Sequence, residues 1–174
     1  MVHSSVVAVL ENGRNTRGLP NQVAGIVLRE PSLFPELMFG LWHVEAQIRG
    51  LAADAIVKVA SQKPALLQPF KAEILGVMGE ARPAIVRWHL AQLVPRLKLT
   101  KSERTGAVAS LREYLEDRSG IVRVCALTSL DELAEGNAAL REEVDDLLRG
   151  FTRTGTPAVK ARARILLKKR KPAA

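Results

Sequence analysis

The stretch AIVRWHLAQLVPRL, residues 84–97, returns 36 residues later as GIVRVCALTSLDEL, residues 120–133. A third version, AQIRGLAADAIVKV, begins at residue 46, and a fourth, PAVKARARILLKKR, begins at residue 157. The shared mark is an aliphatic residue followed by a base: Ile48-Arg49, Val86-Arg87, Val122-Arg123 and Val159-Lys160, at intervals of 38, 36 and 37 residues. Three residues past the base stand Ala52, Leu90, Ala126 and Ala163, and seven past it stand Ile56, Val94, Leu130 and Leu167. Ten past it are Val59, Leu97, Leu133 and then Arg170. These spacings put one apolar stripe on each of four helices, and recurrence at a fixed interval is the signature of a repeat architecture.

The segments between these helices also recur. Ala72, Val108 and Val144 are 36 residues apart, as are Leu75, Leu111 and Leu147, and Gly79, Leu115 and Phe151. The predicted helices run over 44–61, 69–80, 84–97, 101–116, 120–134, 138–152 and 157–170. Shorter helices are expected in PNQVAGIVLRE (20–30) and SLFPELMFGLW (32–42), with a first turn at 4–11. Thr100 and Glu103 have the spacing of a capping box. Ser119 and Asn137 are suited to cap the following helices, and Thr156 precedes Pro157 at a first helical position. Pro69 and Pro83 are read as helix openers, and Pro95 as a kink. No period-two alternation is long enough for a strand, so the expected fold class is all-α.

Paired helices near 37 residues, the second opened by an aliphatic–Arg pair, resemble the HEAT-repeat family. The resemblance spans roughly residues 43 to 170. It implies a right-handed α-α superhelix, a HEAT-like solenoid, of about three and a half helix pairs. Residues 1–42 match no repeat and are expected to form an N-terminal helical cap, continuous in one domain with the repeats at 43–174. HEAT repeats link neighbours by an Asp–Arg ladder, and Asp117 stands six residues before Arg123 at that spacing; His43, Ala81 and Thr154 occupy the equivalent positions elsewhere. The implied inter-repeat column is Arg49, Arg87, Asp117, Arg123 and Lys160.

Composition excludes several kinds of chemistry. With 174 residues, 47% of them hydrophobic, the chain can bury a substantial core. One cysteine, Cys125, forbids an internal disulfide or a CxxC pair, and three scattered histidines, His3, His43 and His89, offer no zinc spacing. No metal and no cofactor are expected. The first residues lack a secretory pattern and no apolar run reaches the length of a membrane span, so an intracellular, cytoplasmic protein is expected. The net charge of +8 is unevenly placed: seven of 26 basic residues lie between Lys160 and Lys171, leaving 19 against all 18 acidic ones. Arg162, Arg164, Lys168, Lys169, Arg170 and Lys171 thus form a candidate anion-binding tail, or a nuclear import address, or a charged helix end suited to the helix dipole.

The opening stretch looks like an active site, with Arg87, Trp88 and His89 in sequence. His89 has no orienting acid or nucleophile on its own face, where only Gln92 and Arg96 fall, and it reads as a boundary residue. Cys125 reads as a packing residue. Glu142, Glu143, Asp145 and Asp146 read as a solvated outer face. The Arg column lies on the flank of the stripe, where packing and pairing with carboxylates or helix-end carbonyls are expected. Trp88 points away from the stripe. With Gln92, Val124, Thr128 and Asp54 it is expected to line the concave surface of the second helices and to anchor a partner.

The functional expectation is a non-catalytic helical-repeat scaffold that binds a protein or peptide. The alternative is nucleic-acid binding through the Arg column and the tail, weakened by the near-neutral body. HEAT-like repeats carry DNA alkylpurine glycosylase activity in one family, and a third reading would use Asp54 beside Trp88.

Overall fold

A computed structural model of the chain describes residues 5–80 and 83–170, all of it helix, turn or loop, with no β-strand among the described residues. The α-helices are α1 Val6–Asn12, α2 Leu19–Arg29, α3 Phe34–Phe39, α4 Ala46–Gln62, α5 Lys71–Met78, α6 Ala84–Leu93, α7 Lys101–Leu115, α8 Gly120–Leu133, α9 Ala138–Thr154 and α10 Pro157–Lys169. Two compact units result, Met1–Lys98 and Leu99–Ala174. The division falls after α6, and residues 5–42 pack on α4 within the first unit rather than forming a body of their own.

In the first unit α2 and α6 flank α4, and α5 lies against α6. In the second, α7 packs on α8, α9 on α10, and α8 against α10. The second helices of successive pairs therefore lie side by side within each unit. Their common stripe explains this. Ile48, Ala52, Ile56, Val86, Leu90, Val94, Val122, Ala126 and Leu130 are all fully buried, each set of three spaced along one face of its own helix. Position 40 is glycine for a reason: a Cβ there would come within 2.6 Å of the Ala52 Cβ. The Gly40–Trp42 3₁₀ turn rests directly on α4 there.

The first helices keep the expected register in α7, which buries Val108, Leu111 and Leu115, and depart from it in α5 and in the later part of α9. α5 buries Ile74, Val77 and Met78, not Ala72, Leu75 and Gly79, which are exposed or half-buried. α9 buries Val144 and Leu148, while Leu147 is half-buried. The column buried in all three helices is Ile74–Leu111–Leu148, spaced by 37 residues; Ala107–Val144 keeps that interval beside the expected Val108–Val144 at 36. Val77 and Tyr114 also stand 37 residues apart.

Helix ends follow local chemistry. The capping box forms: Thr100 Oγ1 accepts from the Glu103 amide at 3.3 Å, and Glu103 Oε2 accepts from the Thr100 amide at 2.7 Å. Asn137 Oδ1 accepts from the Leu140 amide at 3.1 Å. Ser119 and Thr156 make no capping bond with their side chains. Instead, Asp117 Oδ1 accepts from the Ser119 amide at 2.7 Å, which turns the chain into α8. Pro69 lies inside a 3₁₀ segment, Pro64–Phe70, and α5 opens only at Lys71. The kink expected at Pro95 is a full ending: α6 stops at Leu93 and tightens to a 3₁₀ turn, Val94–Arg96, because proline cannot supply the next helical N–H.

Candidate functional site

α4 and α6 bring together residues that are 35 positions apart. His89 is 1% exposed. Its Nδ1–H donates to the Ile85 carbonyl at 2.5 Å, which leaves Nε2 as a bare lone pair. That nitrogen has no hydrogen-bond partner among the described residues and faces Asp54 Oδ1 at 3.6 Å. Asp54 is paired with Lys58 one turn on. The Trp88 indole lies against the imidazole, ring centroids 3.4 Å apart and planes 30° from parallel. Gln92 Nε2 donates to the Trp88 carbonyl at 3.3 Å. Trp88, Gln92 and Asp54 are each half-buried.

His89 is therefore a core residue and not a boundary one, and its acidic neighbour is Asp54. Sequence reasoning missed the pair because the two residues sit on different helices; the signal available was the near-period spacing that sets adjacent second helices side by side. Only an imidazolium would satisfy both the Ile85 carbonyl and the Asp54 carboxylate. Burial opposes that charge more strongly than the hydrogen bond to Ile85 and the charge on Asp54 favour it, and the His89 pKa lies below its ordinary value. The unfolded chain then takes up a proton at a pH where the folded chain does not. Stability is undiminished above the ordinary imidazole range and falls as pH drops below about 6.5. His89→Leu, which installs the residue found at the equivalent Leu51, is expected to flatten the loss between about pH 7.5 and about pH 5.5. Urea midpoints across that range for both proteins check this, and parallel curves would refute it.

The equivalent face of the second unit carries Val124 and Thr128, both half-buried, with Thr128 Oγ1 donating to the Val124 carbonyl at 2.8 Å. Cys125 is half-buried between them on the helix, and burial pushes its thiol up to about 11 although Arg162 pulls the other way. Such a thiol is a poor nucleophile near neutrality.

The basic column is used locally. Arg49 donates through Nη1 to the carbonyls of His43 and Val44 at 2.6 and 2.9 Å, so main-chain oxygens take up this base. His43 accepts the Glu45 amide at Nδ1 (3.1 Å) and bonds Glu11 through Nε2 (2.9 Å). Arg123 lies over the Phe151 ring, 5.7 Å from its centroid. Arg87, Asp117 and Lys160 are half-buried. In the tail, Arg164, Lys168 and Lys169 are exposed and Arg162 is half-buried, whereas Lys171 lies outside the described residues. Arg170 turns inward and pairs with Asp131 and Asp145. Of the α9 carboxylates, Glu142 and Asp146 are exposed as expected, with Glu143 and Asp146 in surface pairs with Arg112 and Arg149, and Asp145 alone turns inward to Arg170.

Among the described residues no group of three or more His, Cys, Asp or Glu side chains could hold a metal ion, and no helix is long and apolar enough to cross a membrane. No family model matches the chain, and no curated protein or solved structure matches it.

Proposed function

We propose that this chain is a HEAT-type repeat protein, a right-handed superhelix of helix pairs that acts as a non-catalytic scaffold and takes a protein or peptide partner on the face of its second helices. The repeat reading is supported by the recurring buried stripe and by the side-by-side packing of α4 with α6 and of α8 with α10. The observation that carries the binding reading is the state of Trp88. Its ring is half-buried and backed by a buried, hydrogen-bonded histidine, so it is held in one orientation before any partner arrives. An aromatic side chain fixed in advance loses little entropy on binding and suits an anchor role.

A catalytic reading has little support at the same place. His89 is sealed from solvent and its Nδ1 is committed to the backbone, while a general base must reach the proton it removes. Asp54, the acid a glycosylase-like reaction would need beside Trp88, is tied to Lys58. The nucleic-acid reading keeps one favourable observation, the exposed pair Arg164 and Lys168 one turn apart on α10.

The deciding experiment compares wild type with Trp88→Ala in affinity capture, alongside circular dichroism and melting. Trp88→Ala is expected to keep its helicity, to melt within a few degrees of wild type, and to lose most of the captured partner. Unchanged capture, or a melting drop of many degrees, would overturn the anchor role. Titration of labelled duplex and single-stranded DNA at low and high salt tests the second reading. It requires binding at low salt that weakens steeply as salt rises.

A further inference from the structure

Three of the chain's seven aromatic residues (four Phe, two Trp, one Tyr) line one groove in the first unit. One wall comes from α3 and the 3₁₀ turn after it: Pro35, Met38, Phe39 and Trp42, spaced i, i+3, i+4, i+7, form a single helical stripe. Phe70 and Glu73 form the other wall at the start of α5. Phe70 is braced from behind by buried Phe34, edge to face at 5.7 Å. The groove has a volume of about 260 Å³. Its rim is open: Phe39 is 71% exposed and Trp42 41%. Glu73 is exposed and makes no hydrogen bond or ion pair with any described residue.

We propose that this groove is a binding site for an alkylammonium group, the head of a lysine side chain, methylated or not, presented by a partner polypeptide. The charge pattern selects a cation. Aromatic faces carry the negative lobe of a quadrupole and attract ammonium groups placed over them. Among the described residues the one charged group in the lining is the Glu73 carboxylate. An anion would meet the Glu73 carboxylate, and a neutral alkyl chain would leave that carboxylate unanswered. The shape selects a polypeptide over a free ammonium ion: a small head group covers the floor near Phe70 and Met38, and a continuing chain is needed to cover the exposed ring of Phe39. The site shares no residue with the Trp88 face and goes beyond the reading built on it.

The test uses three capped pentapeptides of alanine with a central lysine, trimethyllysine or norleucine. Each is titrated into the full chain while the Met38 methyl and Trp42 indole resonances are followed by NMR. Both cationic peptides are expected to shift these resonances, and to bind about three- to fivefold more tightly than the norleucine peptide, the range expected of a partly exposed cation–π contact. Glu73→Gln, at an exposed position, should remove most of that preference without disturbing the fold, and Trp42→Ala should abolish the shift at Met38. Equal binding of the norleucine peptide, a preference that survives Glu73→Gln, or no movement of either resonance with any peptide would each overturn the proposal. None of these outcomes touches the Trp88→Ala capture result, so the two readings fail separately.

Discussion

Leu148→Ala is expected to destabilise the protein by about 3 kcal/mol, and Leu147→Ala by about 1 kcal/mol or less. The two leucines are adjacent in α9, equally good helix formers, and differ only in direction. Leu148 is fully buried and Leu147 half-buried. Truncating the first removes methyl groups from a packed interior and leaves a void that neighbouring helices close only in part. Truncating the second trims a side chain that still meets solvent. Urea denaturation followed by far-ultraviolet circular dichroism reads both differences, and Leu111→Ala, also fully buried, should fall with Leu148→Ala. Equal losses at 147 and 148, or a larger loss at 147, would turn Leu147 of α9 inward and contradict its half-buried position.

That pair of residues also shows how far the sequence can be read. In α4, α6 and α8 the second-helix stripe is legible because the base after each marker aliphatic fixes which neighbour turns inward. In α10 the expected Leu167 is half-buried and Leu166 is buried in its place. The first helices carry adjacent aliphatic residues at 74–75 and 147–148. Neighbouring positions differ by about 100° around a helix, and either can be turned inward with little change in periodicity. Packing against the second helix makes the choice. His89 and Asp54 illustrate the same limit at the candidate site: each helix was placed, but the contact between them depends on how the two are set side by side. The aromatic groove went unread for a similar reason. One wall is written in a single stretch, PELMFGLW, while the other comes from residues 70 and 73, after the whole of α4 has intervened. The caps divide likewise. Thr100 and Asn137 bond as their residue types suggest; Ser119 makes no side-chain cap, and Asp117 holds its backbone amide instead.

Arg170→Ala is expected to cost about 2 kcal/mol, although it removes one base from a strongly basic segment. In the sequence this arginine belongs to a run of cations offered to an anionic partner. In the structure it bridges Asp131 of α8 and Asp145 of α9, and Arg141 joins Asp131 from the other side at 2.8 Å. The side chains of Arg170, Asp131 and Asp145 are 17%, 16% and 27% exposed, so the charges are far better screened from water than those of an ordinary surface pair. Removing the arginine leaves Asp131 with Arg141 alone and takes from the half-buried Asp145 the cation it shared with Asp131. The cost of that uncompensated charge dominates the loss. Lys168→Ala and Lys169→Ala, at exposed positions, should change stability by less than about 0.5 kcal/mol. A double-mutant cycle with Asp145→Asn checks the cause: Arg170→Ala should cost distinctly less once one carboxylate is neutral. If Arg170→Ala proved as harmless as Lys168→Ala, the bridge would not be holding α10 to its neighbours. The contrast also separates structure from binding in the tail, because any loss of DNA affinity caused by charge alone should appear with Arg164, Lys168 and Lys169, whose removal leaves the fold intact.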